Sequence, residues 1–168
     1  FRDSSKKNWA TSLNLTAGIT NVMDVADDAY ATKFLDPVNY DVQNFVLGLI
    51  EDLSKYDLDG IFLDRCRFDN LTSDFSDDSK QKFEQYIGHT LTNFPNDVVV
   101  PGTTAGNLPA QLPVYFKKWL EFRAKTIHDF VVKARDRVKS VNSNIQFGVY
   151  VGAWYSTYYD SGDRKSVV

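Results

Sequence analysis

The segment Tyr56-Asp57-Leu58-Asp59-Gly60-Ile61-Phe62-Leu63-Asp64-Arg65-Cys66-Arg67-Phe68-Asp69 constrains the fold more than any other part of the chain. Ile61 to Leu63 is a short continuous apolar run, entered through Gly60 and left through Asp64, with two arginines just beyond. Strands buried on both faces read as such runs, and α/β folds bind ligands beyond the carboxyl ends of these strands. The pattern predicts a buried strand over residues 60–64 and puts Asp64 where chemistry is usually carried out.

The flanking segments supply the rest of an α/β unit. After Pro37 and Asn39, the residues Val42, Phe45, Val46, Leu49, Ile50 and Leu53 recur at helical spacing, with Asp41, Gln43, Asn44 and Asp52 outside the stripe. This predicts an amphipathic helix over 38–55, joined to the strand by a short connection. Pro113 opens a second long helix with Phe116, Leu120, Arg123, Ile127, Phe130, Val131, Ala134 and Val138 along one side. Its lysines and arginines alternate with Glu121, Asp129 and Asp136, the pattern of a solvated face. Residues 141–144 then turn into Ile145 to Val151, a second strand. Helix, strand, long loop, helix, strand is the order of a crossover unit with parallel strands. The excursion at 66–112, with a helix expected at Ser79 to Ile87, reads equally as a set of substrate-contacting loops or as a surface insertion. Residues 1–37 show no sustained periodicity and are expected to form a long polar loop with one short strand at Ile19 to Met23.

Composition narrows the classes of function. With 168 residues, 43% apolar and 24% charged, the chain can build a core of ordinary globular size. A net charge of −3 and the lack of a basic tract interleaved with aromatics argue against nucleic acid as a partner. No apolar run approaches a membrane span or a signal-peptide core. The chain starts at Phe1 without an initiator Met, which suggests a processed or excised piece. Cys66 is the only cysteine, so no internal disulfide forms. Two separated histidines and the loop-like spacing of Asp24, Asp27 and Asp28 give no metal site, and no cofactor is expected.

Residues 152–159, Gly-Ala-Trp-Tyr-Ser-Thr-Tyr-Tyr, follow the second strand on the rim that carries Asp64. Aromatic faces cover the C–H patches of sugars while their polar tips bond hydroxyls. Trp154 and Tyr155 are therefore candidate carbohydrate contacts, with packing beneath neighbouring loops as the other reading. Trp9 is a further candidate sugar platform. Arg65 and Arg67 either orient Asp64 and grip substrate hydroxyls, or pair with Asp69 and Asp59 beneath the loop.

Asp36-Pro37, the helix at 38–55 and Tyr56 to Asp64 together resemble the (Asn/Asp)-Pro, helix, Tyr-Asp-Val-Asp-Gly-Ile-(His)-Phe-Asp pattern of bacterial glycosyl-hydrolase-like proteins, relatives of the alpha-amylase (β/α)₈ barrels. The similarity continues through Trp119-Leu120-Glu121-Phe122-Arg123 and Ile145 to Gly152, covering residues 36–152. It implies a partial (β/α)₈, TIM-type barrel of parallel strands with outer helices, the fourth strand ending at Asp64 and the fifth near Val151. It also implies that Asp64 serves as nucleophile or transition-state stabiliser, and that the protein acts on a poly- or oligosaccharide outside the cell or in the periplasm.

Retaining hydrolysis needs a second, protonated carboxyl about 5–5.5 Å from the first. Here the chain departs from the family pattern. Residues 145–159 hold no acid, Phe62 stands where the relatives carry Arg or His, and Arg65 stands where they often carry Asp. Two readings follow: a glycoside hydrolase, or a non-catalytic carbohydrate-binding or surface protein that kept the fold. A complete barrel needs about 200–250 residues. Residues 1–168 are thus expected to be one domain or a segment of a larger barrel. Such a segment would leave Ile61, Leu63, Phe147 and Val149 short of packing, to be covered by a longer chain or by self-association.

Overall fold

The polar N-terminal stretch, expected to be a loop, folds as a hairpin. The computed structural model describes residues 2–30, 33–104 and 106–151, and within them Ser12–Leu15 (β1) pairs antiparallel with Gly18–Asn21 (β2). Only the end of the strand expected at residues 19–23 is shifted: Val22–Asp24 closes into a 3₁₀ turn. Periodicity concealed β1 because its buried face is half polar. Thr11 and Asn14 are as inaccessible as Leu13, and both bond to distant parts of the chain. Asn14 Nδ2 donates to the Val99 carbonyl (2.9 Å), and its backbone N–H donates to the Thr72 carbonyl (2.7 Å). β1 is also bracketed by bridges from Ala10 to Leu35 and from Leu13 to Ser73, so it ties together two distant loops.

Tyr40–Leu53 forms α1, started by Asn39, whose side chain accepts from the N–H groups of Asp41 (2.9 Å) and Val42 (3.3 Å). Its buried residues are Val42, Gln43, Leu47 and Ile50, while Phe45, Leu49 and Leu53 are about half exposed. The expected stripe is therefore rotated. Gln43, placed outside by pattern, is buried because its Nε2 donates to the Pro37 carbonyl at 2.8 Å. Asp77–Ile87 forms α2, two residues longer than expected, because Ser76 caps it by accepting from Ser79 N–H and Gly88 ends it at φ +79°.

Gly60–Leu63 (β3) and Gln146–Val149 (β4) pair in parallel, with Gly60 opposite Gln146 and Leu63 opposite Val149. Between them runs α3, Phe116–Val141. The fold is thus mixed α/β, a small parallel sheet with helices packed on it. Among the described residues the sheet has two strands and does not close into a barrel. Ile61 and Ile145 are covered by Leu47 and Ile50 of α1 and by Ala134 and Val138 of α3, with Leu63 and Phe147 packed at the edge. The strand residues expected to lack packing are therefore partly or fully covered. On α1 and β3, Phe45, Leu49, Leu53 and Phe62 are among the exposed apolar residues.

The excursion between β3 and α3 is a packed lobe. Phe68, Leu71, Phe75, Phe83, Trp119 and Phe122 form its core, with the Phe83 and Trp119 rings edge to face at 4.9 Å. At its centre lies Arg123, 0% exposed. Nη2 donates to the Asn70 carbonyl (2.6 Å) and the Ser73 hydroxyl (3.4 Å), and Nη1 to the Leu71 carbonyl (3.3 Å). The guanidinium also stacks on Phe68 at 4.2 Å. Replacing Arg123 by Leu takes its donor from the Leu71 carbonyl, at about 1–3 kcal/mol for a buried group left unsatisfied, whereas the Asn70 carbonyl keeps the Ser73 hydroxyl (2.8 Å) and the Ser73 oxygen keeps the Asn70 N–H (3.3 Å). Arg123→Leu should lower the urea midpoint by an amount corresponding to about 1–3 kcal/mol, and Arg123→Lys, which cannot reproduce the fork, should recover only part of it.

Candidate functional site

Asp64 follows the last residue of β3 directly, so the strand delivers it to the sheet's carboxyl end as the sequence predicts. The parallel register sets Asp64 level with Tyr150, whose N–H donates to the Leu63 carbonyl at 2.8 Å. Both Asp64 and Tyr150 are exposed. Trp154 and Tyr155, the expected aromatic rim, lie outside the described residues.

Immediately after Asp64 the chain turns through a conformation unusual for a side-chain-bearing residue, with Arg65 at φ +51°. This turn lets Arg67 N–H reach back to the Arg65 carbonyl at 2.8 Å. Arg65 points to solvent. Arg67 is half-buried, and its Nη1 donates to the carbonyls of Phe68 (3.0 Å) and Asp69 (2.7 Å) while its guanidinium lies over the Phe34 ring at 5.6 Å. The expected partners Asp69 and Asp59 do not supply their carboxylates to Arg67: it braces the backbone of the loop. Burial and then the neighbouring Arg65 charge hold its pKa down, opposed by the Asp64 carboxylate. Asp64, Arg65 and Arg67 thus share one electrostatic neighbourhood.

The rim extends to the N-terminal side of α1. Residues 54–59 join α1 to β3 through a short connection, so the C-terminus of α1 lies beside the start of β3 and its N-terminus faces the end that carries Asp64. There an open groove of about 670 Å³ is lined by Asn8, Asp36, Asn39, Tyr40, Asp77 and Lys82, among others. It offers amide, carboxylate and ammonium groups beside an aromatic ring, the mixture that hydroxyl-rich ligands require. Trp9 sits between two groove residues in sequence. Its ring packs on Phe45 at 5.4 Å and beneath the Lys6 ammonium at 4.1 Å.

Sequence reasoning missed one feature of this rim. Asp36 and Asp74, 38 positions apart, are both about 1% exposed and hydrogen-bond each other. The Asp36-Pro37 pair marks one partner, and nothing in the local pattern around Asp74 marks the other. No cluster of three or more His, Cys, Asp or Glu side chains that could hold a metal ion occurs among the described residues.

Asp64 thus stands at the carboxyl end of a parallel strand, where α/β folds bind ligands, with two arginines just beyond it, and the polar groove lies at the N-terminal end of α1. Residues 8–163 match the family described as Glycosyl hydrolase-like 10, and the chain belongs to that family. It is also 43% identical over 140 residues to an S-layer-related protein of Niallia circulans, a match covering 79% of this chain and 8% of that protein. The chain therefore spans a small part of its relative's length. No helix among the described residues is long and apolar enough to cross a membrane.

The turn after Asp64 gives a direct stability test. A β-branched side chain at φ +51° is strained by about 1–2 kcal/mol, whereas Asn tolerates this region. Arg65→Ile should lower the thermal midpoint, and Arg65→Asn should leave it close to wild type, as followed by circular dichroism.

Proposed function

We propose that this chain is part of a glycoside-hydrolase-like (β/α)₈ barrel, related to the alpha-amylase barrels, that engages a poly- or oligosaccharide through the rim around Asp64. The observation that carries the reading is Asp64 itself: an exposed carboxylate at the carboxyl end of a parallel strand, in a chain of the Glycosyl hydrolase-like 10 family. In this reading β3 and β4 are adjacent barrel strands, α1 and α3 belong to the outer helical layer, and the half-exposed stripe of Phe45, Leu49 and Leu53 packs against the rest of the barrel. Residues 1–168 then form one domain or a segment of a larger one.

Asp64 acts as nucleophile or stabilises the oxocarbenium-like transition state, since a carboxylate there faces the positive charge that develops at the anomeric carbon. Arg65 reaches sugar hydroxyls from solvent, and Arg67 holds the loop that presents both. Trp9, Trp154 and Tyr155 supply the apolar platforms. The S-layer-related relative supports a location at the cell surface.

A second reading has a specific observation behind it. Residues 145–159 carry no Asp or Glu to act as the proton donor. A non-catalytic carbohydrate-binding or surface protein would need none.

Substitution at Asp64 separates the two. For a hydrolase, Asp64→Asn should reduce turnover of a cleaved glycan by about a thousandfold, equivalent to about 4 kcal/mol of transition-state stabilisation, with little change in glycan affinity. Screening the chain and its Asp64→Asn variant against aryl glycosides and polysaccharides measures both. Binding without turnover, little altered by Asp64→Asn, selects the second reading, and neither binding nor turnover on any glycan refutes both.

A further inference from the structure

The Asp36–Asp74 pair joins four parts of the chain at one buried point. Asp36 Oδ1 accepts from Val38 N–H (2.8 Å), at the entrance to α1, and Oδ2 accepts from the Ser76 hydroxyl (3.0 Å), the cap of α2. Asp74 Oδ1 accepts from the Thr11 hydroxyl at 2.7 Å, in the residue that leads into β1. The Asp74 backbone N–H donates back to that same hydroxyl oxygen at 2.9 Å, and Asp74 holds φ +67° to do so.

Asp74 Oδ2 is buried and receives no N–H or hydroxyl donor. It lies in a pair whose carboxyls hydrogen-bond each other, and two ionised carboxylates are acceptors only. The contact requires a proton, and Asp74 Oδ2 is the oxygen left to carry it.

We propose that Asp36 and Asp74 share one proton and form a pH-dependent latch, which holds the N-terminal hairpin against the loop at 72–75 and keeps the Asp36 wall of the rim groove in place. With the proton present, Asp74 donates to Asp36 and the four segments stay joined. When it leaves, two buried negative charges face each other and the hairpin side of the groove loosens.

The surrounding charges fit this assignment. From α3 the Arg123 guanidinium acts on Asp74, but its forks are committed to the Asn70 and Leu71 carbonyls and the Ser73 hydroxyl. From α2, Asp78 repels Asp36, and Lys82, which offsets it, is bound to Asp78 (2.7 Å) and the Val38 carbonyl (2.7 Å). Asp69, on the loop beside Arg123, is itself raised by burial, opposed by that guanidinium. The hairpin contributes the neutral Thr11 hydroxyl. Burial holds both carboxyls of the pair above the usual carboxylate range, and for Asp74 the charge of Asp36 adds to it.

The sign follows from linkage. Groups whose pKa is raised by folding keep a proton that the unfolded chain has released, so the fold is favoured at low pH and loses stability as pH climbs above about 4 through the folded pKa. The test is the protection factor of two amides that cross the latch, Asn14 and Phe75, whose N–H groups donate to the Thr72 and Ser12 carbonyls. Hydrogen exchange corrected for intrinsic rates, at pH 5 and pH 8, should show protection falling by about tenfold or more in the wild type. Asp74→Asn places an amide N–H where the proton sat and suits φ +67°, so its protection should be the same at both pH values. Asp36→Asn, able to donate to Asp74, should give the same flat profile.

A flat wild-type profile overturns the proposal, as does an undiminished fall in either folded variant. Loss of fold by both variants at pH 5 overturns it too, because an amide should replace a protonated carboxyl there. Amides of β3 and β4, remote from the latch, should change less than Asn14 and Phe75, and an equal loss across the whole chain would also sink the idea.

Discussion

One buried guanidinium organises the half of the molecule that sequence periodicity does not explain. The lobe between β3 and α3 has little regular structure beyond α2, so its backbone carbonyls need donors from elsewhere. Arg123 supplies them from α3, at the point where the chain passes from Phe68 to Ser73. That segment in turn presents Ser73 and Asp74 to the hairpin. Helix, loop and hairpin are thus fixed in series, and the position of the rim groove depends on a side chain that does not line it. A permanently charged, planar donor suits the task because its forks serve several carbonyls at once.

The end of the sheet that carries Asp64 gathers pieces from both halves. β3 delivers Asp64 through the plain geometry of a buried parallel strand, and the strained turn at Arg65 swings the following residues into the lobe. Arg67 is spent on the backbone there, which leaves Arg65 as the cation exposed beside Asp64. A single exposed carboxylate accompanied by cations suits stabilisation of positive charge in a ligand or attack on it. It does not by itself donate a proton. Whether chemistry follows from the site therefore turns on a second acid supplied to the same rim.

The parts of the fold that were legible from sequence are those governed by local repetition. Ile61 to Leu63, the run from Val42 to Leu53 and the apolar side of α3 each announced their element, because burial against a neighbouring layer selects residues at fixed spacing. Asp64 was legible for the same reason, as the residue that ends such a run. The first strand of the hairpin was not, since Thr11 and Asn14 are buried polar residues whose partners Asp74 and Val99 are 63 and 85 positions away. The rotation of α1 had a similar cause: Gln43 is buried by a bond to Pro37 that no hydrophobic stripe encodes. The Asp36–Asp74 pair combines both difficulties, a polar interior contact between loops, and Arg123, although it stands in the apolar row of α3, carries no mark in sequence of the carbonyls it serves.

Phe62 sits on the sheet face away from the helices, 61% exposed, and its ring lies across two glycines. A β-carbon at Gly148 would meet the ring at 2.5 Å, and one at Gly60 would meet it at 2.9 Å. The three positions behave as one unit, in which a single broad side chain covers the space that three ordinary ones would share. Substitutions there should be contingent on one another through the generations: a branched residue can be accepted at 148 only in a lineage that has already given up the aromatic ring at 62. Relatives with a smaller residue at position 62 are where side chains at positions 60 and 148 should be found.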